Sequence, residues 1–325
     1  MSLAGTSADL PLTLASIREA AAGLAGVAIR TPLVESAVLS RRAGVPVFLK
    51  CEQLQPVGAF KVRGAYTAIR RLPPELRRRG VVTHSSGNHG IAVGWAARRL
   101  EVPAVVVAPE DAPRVKREAI AATGAELVLI PDRSLREPTV ERLVRERGLV
   151  PIPPFDHPDV MAGQATVGLE ILEQAPEVAV IIAAVSGGGL LGGIASAVAW
   201  LRPQVRVIGA EPEGAAKLTA ALACGAPAPV ARPRSIADGL LAPALGALPW
   251  RAIRPAVPAA AVVSDREIGD AVRFLFERQG LRVEPSGAAP VAALLAGRVR
   301  PAGPVAAVLS GGNVDSDVFR RLVEG

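Results

Sequence analysis

Short runs of β-branched and other apolar residues alternate along this chain with stretches of helix-forming residues, and this alternation limits its fold more than any other feature. Such a repeat of strand, loop and helix predicts an α/β protein with mostly parallel sheets. We expect strands at residues 45–51, 80–84, 104–109, 126–130, 178–185, 205–211 and 305–310, and helices at residues 61–71, 89–100, 114–123, 138–147, 163–174, 191–200 and 265–279.

Three loops that follow predicted strands are rich in glycine, serine and asparagine. With the strand ends that lead into them, they span residues 81–90, 184–193 and 308–313. In open parallel sheets, ligands bind beyond the carboxyl ends of the strands, in the loops that lead into helices. We therefore expect the chemistry of this chain to lie in these loops.

The second loop contains the run Ser-Gly-Gly-Gly-Leu at residues 186–190. Glycines leave backbone N–H groups uncovered, and the N-terminus of the following helix adds partial positive charge, which together suit a phosphate. The run matches neither the dinucleotide-binding pattern nor the P-loop. A tight turn, where a helix packs closely on the sheet, is the alternative that the residues leave open.

The other polar segments centre on Lys61, on residues 85–89 and on Ser310. Lys61 lies at the start of a predicted helix between two apolar residues. A partly desolvated lysine becomes a usable nucleophile and base, whereas the alternative is an ordinary surface lysine. Residues 85–89 suit a carboxylate ligand or a helix N-cap. Ser310 brings a hydroxyl to a strand end, as a turn residue or a ligand contact.

Composition argues against several classes of protein. The net charge is +7, but the basic residues are scattered among acidic ones and no basic run is interleaved with aromatic residues, so we expect no nucleic-acid partner. The two cysteines, Cys51 and Cys224, are too few for a disulfide framework, and the histidines lack zinc-ligand spacing. Without a signal peptide or a long apolar run, we expect a cytoplasmic protein with no membrane partner.

Taken in order, these motifs resemble the pyridoxal-phosphate enzymes of fold type II (tryptophan synthase β-like), and among them the threonine dehydratase, serine dehydratase and serine racemase group. The resemblance implies pyridoxal 5'-phosphate as cofactor, a homodimer, and two three-layer α/β domains with mostly parallel sheets. The large cofactor-binding domain would comprise residues 1–54 and 155–325, and the small domain residues 55–154. The matching segments are 30–33, 50–52, 59–65, 83–90, 162–166, 186–190, 236–239, 283–288 and 310–313.

The resemblance also assigns roles to residues. Lys61 would bind the cofactor covalently and move the α-proton of the substrate. Asn88 would hydrogen-bond the phenolic oxygen of the cofactor ring, and Ser310 would face its pyridine nitrogen. The implied catalytic residues are Lys61 and Ser86; the cofactor-binding residues are Phe60, Lys61, Asn88, Ser186, Gly187, Gly188, Gly189, Leu190, Gly239 and Ser310; and the residues that hold the substrate carboxylate are Ser85, Ser86, Gly87, Asn88 and His89.

The implied activity is an ammonia-lyase reaction on a small β-hydroxy amino acid of the threonine or serine type, giving a 2-oxo acid and ammonia. A serine hydroxyl at the ring nitrogen does not force its protonation as an aspartate would, which favours β-elimination over transamination. An amino-acid racemase that uses Lys61 and Ser86 is one alternative. A specialised dehydratase of a hydroxyaspartate or hydroxyectoine pathway is another, and a non-catalytic binding protein is a third.

The chain departs from the family pattern at four positions, of which the last concerns a metal. The family places a divalent cation near a Glu-Pro segment, matched here by Glu211, with Ala215 as a further ligand position. Six residues after the glutamate, where an acidic ligand is usual, this chain has Lys217. A charged lysine cannot bind magnesium, so we expect weak or absent dependence on divalent metal. The other departures are Ala59, Pro153 and Ser186, which replace serine, histidine and glycine.

Overall fold

The ten strands of the computed structural model form two sheets. The model describes residues 10–85, 87–112 and 114–324. The larger sheet has the order β1-β2-β10-β7-β8-β9 and the smaller one the order β5-β4-β3-β6. The strands are β1 (Leu33–Glu35), β2 (Val47–Lys50), β3 (Val81–His84), β4 (Ala104–Pro109), β5 (Glu126–Ile130), β6 (Val150–Pro151), β7 (Val180–Ala184), β8 (Arg206–Pro212), β9 (Ala259–Val263) and β10 (Val305–Val308).

Helices connect these strands and cover the sheets. Strand pairing is parallel throughout both described sheets except between β1 and β2. The predicted fold class, an α/β fold with mostly parallel sheets, is therefore confirmed. The helices are α1 (Leu14–Leu24), α2 (Ala37–Ala43), α3 (Lys61–Arg71), α4 (Pro74–Arg79), α5 (Asn88–Arg99), α6 (Arg114–Ala122), α7 (Arg136–Arg147), α8 (Pro158–Gln174), α9 (Gly189–Leu201), α10 (Lys217–Cys224), α11 (Ala247–Ala256), α12 (Asp265–Gln279), α13 (Pro285–Leu295) and α14 (Ser316–Glu324).

The larger sheet is buried on both faces, which explains why its central strands β10 and β7 are apolar along their whole length. In β7, Val180 and Ile182 pack into one hydrophobic cluster, and Ile181 and Ala183 pack into another on the opposite face. This alternation follows from the two-residue period of a strand. Parallel sheets covered by helices on both faces need such unbroken apolar strands.

Helix α8 packs between α3 and α9, and glycines permit both close contacts. A Cβ atom on Gly163 of α8 would lie 2.4 Å from the carbonyl oxygen of Arg63 in α3. A Cβ atom on Gly193 of α9 would lie 2.8 Å from the backbone nitrogen of Ala165 in α8. Since α3 begins at Lys61 and α9 begins at Gly189, α8 fixes the two helix starts relative to each other.

A buried ion network adds to this contact. The Arg63 guanidinium is 1% exposed and donates to both Glu52 carboxylate oxygens at 2.8 Å and to Glu170 Oε1 at 2.6 Å. Burial raises the pKa of Glu52, but the charge and hydrogen bonds of Arg63 outweigh this and keep that pKa below its ordinary value. Lys50 Nζ joins the network at 2.5 Å from Glu170 Oε2. The network therefore joins α3, α8 and the end of β2.

The smaller sheet draws all its strands from residues 81–151, inside the range predicted for the small domain. The domain boundaries at residues 54/55 and 154/155 stay a prediction, as does the homodimer. None of the helices in the described part of the chain is long and apolar enough to cross a membrane.

Replacing Arg63 by methionine should destabilise the protein by about 3–5 kcal/mol, because the fully buried Glu52 carboxylate would lose the guanidinium that bonds to both of its oxygens. Chemical unfolding of Arg63→Met and the parent protein measures the difference. Arg30→Met is the matched control, since Arg30 pairs with Glu173 of the same helix α8 in an exposed ion pair that should contribute no more than about 1 kcal/mol. Equal losses for the two variants would contradict the assigned role of the buried network.

Candidate active site

Lys61 and the glycine loop contact neighbouring residues of one short segment that precedes α8. Lys61 Nζ donates a hydrogen bond of 2.6 Å to the carbonyl oxygen of Pro154. The next residue, Phe155, packs against the glycine loop: Cβ atoms on Gly187 and Gly189 would lie 2.3 Å and 2.9 Å from its atoms. One short segment before α8 thus separates the amine from the loop.

The Lys61 amine lies in surroundings that weaken its hold on a proton. Its Nζ is 5.1 Å from the centre of the Phe60 ring, and Pro154 O is the one hydrogen-bond partner that the described residues offer it. Burial lowers the pKa of Lys61 to about 8. The neutral, nucleophilic form is therefore far more accessible than for a solvated lysine, as the sequence analysis predicted for a desolvated amine.

The glycine loop has the backbone geometry of an anion cradle. Gly188 has a φ of +91°, a conformation that favours glycine, and α9 begins directly after it. Ser186 has no positive φ, which explains why serine is tolerated where the family has glycine. The Gly187 carbonyl accepts from Gly246 N at 3.0 Å, which ties the loop to the start of α11, and Leu190 is buried. The free N–H groups at the start of α9 suit a phosphate.

Ser310 lies beside the Lys61 loop at the end of β10. Its carbonyl oxygen accepts from Phe60 N at 3.0 Å, and Ala59 forms a bridge with Gly311. Ser310 is 5% exposed, and no described residue makes a hydrogen bond with its hydroxyl. A hydroxyl without a partner among the described residues, next to the loop that carries Lys61, is free to contact a bound group.

Asn88, the first residue of α5, lies in a polar cluster with Glu284, which precedes α13, and Asn313, which follows β10. Its Nδ2 donates to Glu284 Oε1 at 2.6 Å, and its Oδ1 accepts from Asn313 Nδ2 at 2.9 Å. The structure therefore brings the first and third polar loops of the sequence together. Gly239 lies near this cluster, because its N–H donates at 2.9 Å to Oγ of Ser286, in the helix α13 that follows Glu284.

The loop predicted to hold the substrate carboxylate leads into α5. Ser85 Oγ accepts from Gly87 N at 3.2 Å, while Ser86 lies outside the described residues. The His89 ring is buried, and its Nε2 lies 3.0 Å from Ile152 O. Burial, reinforced by the charge of Lys61, lowers the pKa of His89 to about 3, so the ring is neutral. The contribution of His89 to a carboxylate is thereby restricted to its backbone N–H, which has no intrahelical acceptor in the first turn.

Three charged residues at this site received no role from the sequence. Glu284 is 2% exposed, and burial raises its pKa to about 7. Lys116 of α6 donates to Asp238 at 2.5 Å and lies 4.0 Å from Glu284. A Cβ on Gly87 would lie 3.6 Å from Lys116 Nζ, so this ammonium adjoins the predicted substrate loop. The sequence did contain one signal that could have pointed to Lys116: lysine is scarce, and Lys116 is one of only four in the chain.

The residues matched to the family's cation site do not fit a divalent metal. Lys217 is fully buried beside Glu211, and both Glu211 oxygens already accept hydrogen bonds from the start of α10. Burial lowers the pKa of Lys217 to about 8, and the Glu211 charge opposes that shift. Ala215 is buried as well and could offer only its backbone carbonyl oxygen. An ammonium and a divalent cation would repel each other here.

The other residues fit pyridoxal phosphate. The loop at residues 186–190 offers a cradle whose glycine positions have no room for a Cβ atom. The Lys61 amine bonds to Pro154, whose neighbour Phe155 packs against that cradle. Ser310 offers a hydroxyl that has no partner among the described residues. These three features match the phosphate, the aldehyde and the ring nitrogen of the cofactor.

Replacing Gly187 by alanine should weaken pyridoxal phosphate binding at least about tenfold, because the new methyl group would force Phe155 away from the cradle. Fluorescence titration of the apoenzyme measures the dissociation constant. Gly269→Ala in α12 is the matched control, since its Cβ would be 3.6 Å from the nearest atom and should leave binding unchanged. If Gly187→Ala binds the cofactor as tightly as the parent protein, the assigned cradle is wrong.

Comparison with known proteins agrees with this site. A family model described as pyridoxal-phosphate dependent enzyme matches residues 24–311. The chain is 38% identical to the L-threonine ammonia-lyase of Thermotoga maritima, over 96% of this chain and 78% of the relative. It is 38% identical to the L-threo-3-hydroxyaspartate ammonia-lyase of Saccharomyces cerevisiae, over 91% of each. The structure of maize serine racemase superposes with a TM-score of 0.92 and 39% identity, over 96% of both chains.

These matches run through both sheets and all three polar loops, and they favour an enzyme over a non-catalytic binding protein. The chain belongs to the family of pyridoxal-phosphate dependent enzymes, with the type II fold.

Proposed function

We propose that this enzyme is an ammonia-lyase that converts a small β-hydroxy amino acid of the threonine or serine type to a 2-oxo acid and ammonia. The observation that carries the proposal is the position of the Lys61 amine. It is desolvated, and it bonds to Pro154, whose neighbour Phe155 packs against the glycine cradle. Relatives named for ammonia-lyase activity on threonine and on 3-hydroxyaspartate support it.

Lys61 is proposed as the base of the reaction. When bound, pyridoxal phosphate supplies an electron sink for the pair left on the α-carbon of the substrate. Lys61 Nζ accepts the α-proton, and a pKa of about 8 keeps a useful fraction of the amine neutral near neutral pH. The Pro154 carbonyl, 2.6 Å away, orients the amine toward the cradle.

The loop at residues 85–89 is proposed to hold the substrate carboxylate. Asn88 and His89 open α5, where backbone N–H groups have no intrahelical acceptors and the helix dipole favours a negative charge. The Ser310 hydroxyl is neutral and so does not force a proton onto the cofactor ring. That environment favours departure of the β-hydroxyl over storage of the electrons in the ring. The released enamine hydrolyses in water to the 2-oxo acid and ammonia.

Racemisation is the second candidate, supported by the likeness to serine racemases. Its proposed second base is Ser86, which would act on the face of the substrate opposite Lys61. A specialised dehydratase for 3-hydroxyaspartate or a hydroxyectoine-pathway intermediate is a narrower form of the first candidate. A homodimer and a cytoplasmic location accompany the proposal as predictions.

The experiment is a panel of β-hydroxy amino acids, namely both enantiomers of serine, threonine and 3-hydroxyaspartate, assayed for 2-oxo acid and ammonia. We expect turnover of at least one member, and a loss of about 10²-fold or more in Lys61→Ala because the base is removed. 2-Aminobutyrate, which is threonine without its hydroxyl, is the matched substrate control and should yield no product. Absence of 2-oxo acid across the panel, with cofactor bound, would contradict the lyase assignment.

Chiral analysis of the same reactions separates the second candidate. If Ser86 is the second base, Ser86→Ala should abolish conversion between enantiomers and leave 2-oxo acid formation from one enantiomer. Racemisation that survives in Ser86→Ala would exclude this role for Ser86.

A further inference from the structure

A second buried lysine, Lys217, lies behind the glycine loop. It is the first residue of α10, and its side chain is 0% exposed. Its Nζ donates to the carbonyl oxygen of Leu240 at 2.9 Å and approaches that of Val185 at 3.4 Å. An ammonium so deeply buried is costly unless it is paired, so these carbonyl contacts are built into the fold.

The two carbonyls belong to the two segments that carry predicted cofactor contacts. Val185 immediately precedes Ser186, where β7 passes into the glycine loop. Leu240 ends the short 3-10 turn Asp238–Leu240, which contains Gly239. One side chain therefore holds the entrance of the glycine loop against the turn beside it.

Glu211 completes the arrangement from the end of β8. Its carboxylate accepts from Leu218 N at 2.7 Å, from Thr219 N at 2.8 Å and from Thr219 Oγ1 at 2.7 Å. These bonds fix the start of α10 and so the base of the Lys217 side chain. The carboxylate also balances the buried positive charge electrostatically. Glu211 therefore acts on Lys217 through its charge and through the helix start that it fixes, and not as a direct ion-pair partner.

We propose that the Lys217 ammonium is the fixed cation of the glycine loop, and that it positions this loop for the phosphate without any metal. The family places a divalent cation at this position, and the residues of this chain do not fit one. A tethered cation cannot dissociate, so the loop keeps its shape at any metal concentration. Lys217 is a positioning residue, since it contacts the carbonyls that frame the loop and not the cofactor itself.

The test measures pyridoxal phosphate affinity and thermal stability of the full-length protein in EDTA and in magnesium or manganese chloride. The parent protein should show the same values in all three conditions. Lys217→Met should bind the cofactor about tenfold more weakly, because two buried carbonyls lose their cationic donor. If Lys217→Met does not fold, the same measurement is made on Lys217→Gln, which keeps an N–H donor but removes the charge.

Lys217→Asp provides a gain of function that a purely structural role would not produce. It gathers carboxylate and carbonyl oxygens around the vacated position, a donor set that suits magnesium or manganese. Its cofactor affinity should be weak in EDTA and recover about tenfold with the metal. Lys50→Met, which removes another fully buried ammonium, is the matched control and should lose stability without gaining any response to metal.

Three results would overturn the proposal. The first is a parent protein that loses cofactor affinity in EDTA and regains it with magnesium. The second is a Lys217→Met variant that binds the cofactor as tightly as the parent, and the third is a Lys217→Asp variant that binds it equally with and without metal. A parent protein that binds no pyridoxal phosphate at all would instead contradict the cofactor assignment, so the two failures are distinguishable.

Discussion

The buried charge of Arg63 is the constraint on which the site depends. Arg63 follows Lys61 by two residues, and its guanidinium bonds to Glu52 and to Glu170 of α8. The ion network that orders the core therefore also sets where α3 begins. Desolvating these charges is costly, and only a nearly complete set of hydrogen bonds offsets that cost. The amine of Lys61 is thereby placed by groups that take no part in the chemistry.

Helix α8 extends this constraint to the phosphate end of the site. It packs on α3 through Gly163 and on α9 through Gly193, while the segment just before it carries Pro154 and Phe155, which contact Lys61 and the glycine loop. The amine and the cradle are thus positioned by one helix and its leading segment. On the far side of the loop, the ammonium of Lys217 bonds to carbonyls that frame the cradle. Packing and buried charge together preorganise the site, which is what a catalytic constellation needs.

Much of the architecture follows from local sequence signals. Helices α3 and α12 have the predicted bounds; α12 is framed by a Ser264–Glu267 capping box and a left-handed Gly280. Strand β9 is rich in alanine, α13 contains Pro290 in its interior, and β1 and β6 are only three and two residues long, so none gave a signal of its own. At the site, Lys61 and the glycine loop were predictable because residue type and position at a strand end indicate their chemistry. The contacts of Lys116 with Asp238 and of Asn88 with Glu284 were not, since each joins residues more than a hundred positions apart and exists only once the sheets are assembled.

We propose that the Lys61 amine, and no other, reaches the aldehyde of the cofactor. The most direct measurement is borohydride reduction of the holoenzyme followed by peptide mapping with mass spectrometry. We expect the bound cofactor to lose its near-visible absorption band and to leave a single pyridoxyl adduct, on the peptide that contains Lys61. An adduct on Lys50, Lys116 or Lys217, or no adduct on any of the four lysines, would contradict it.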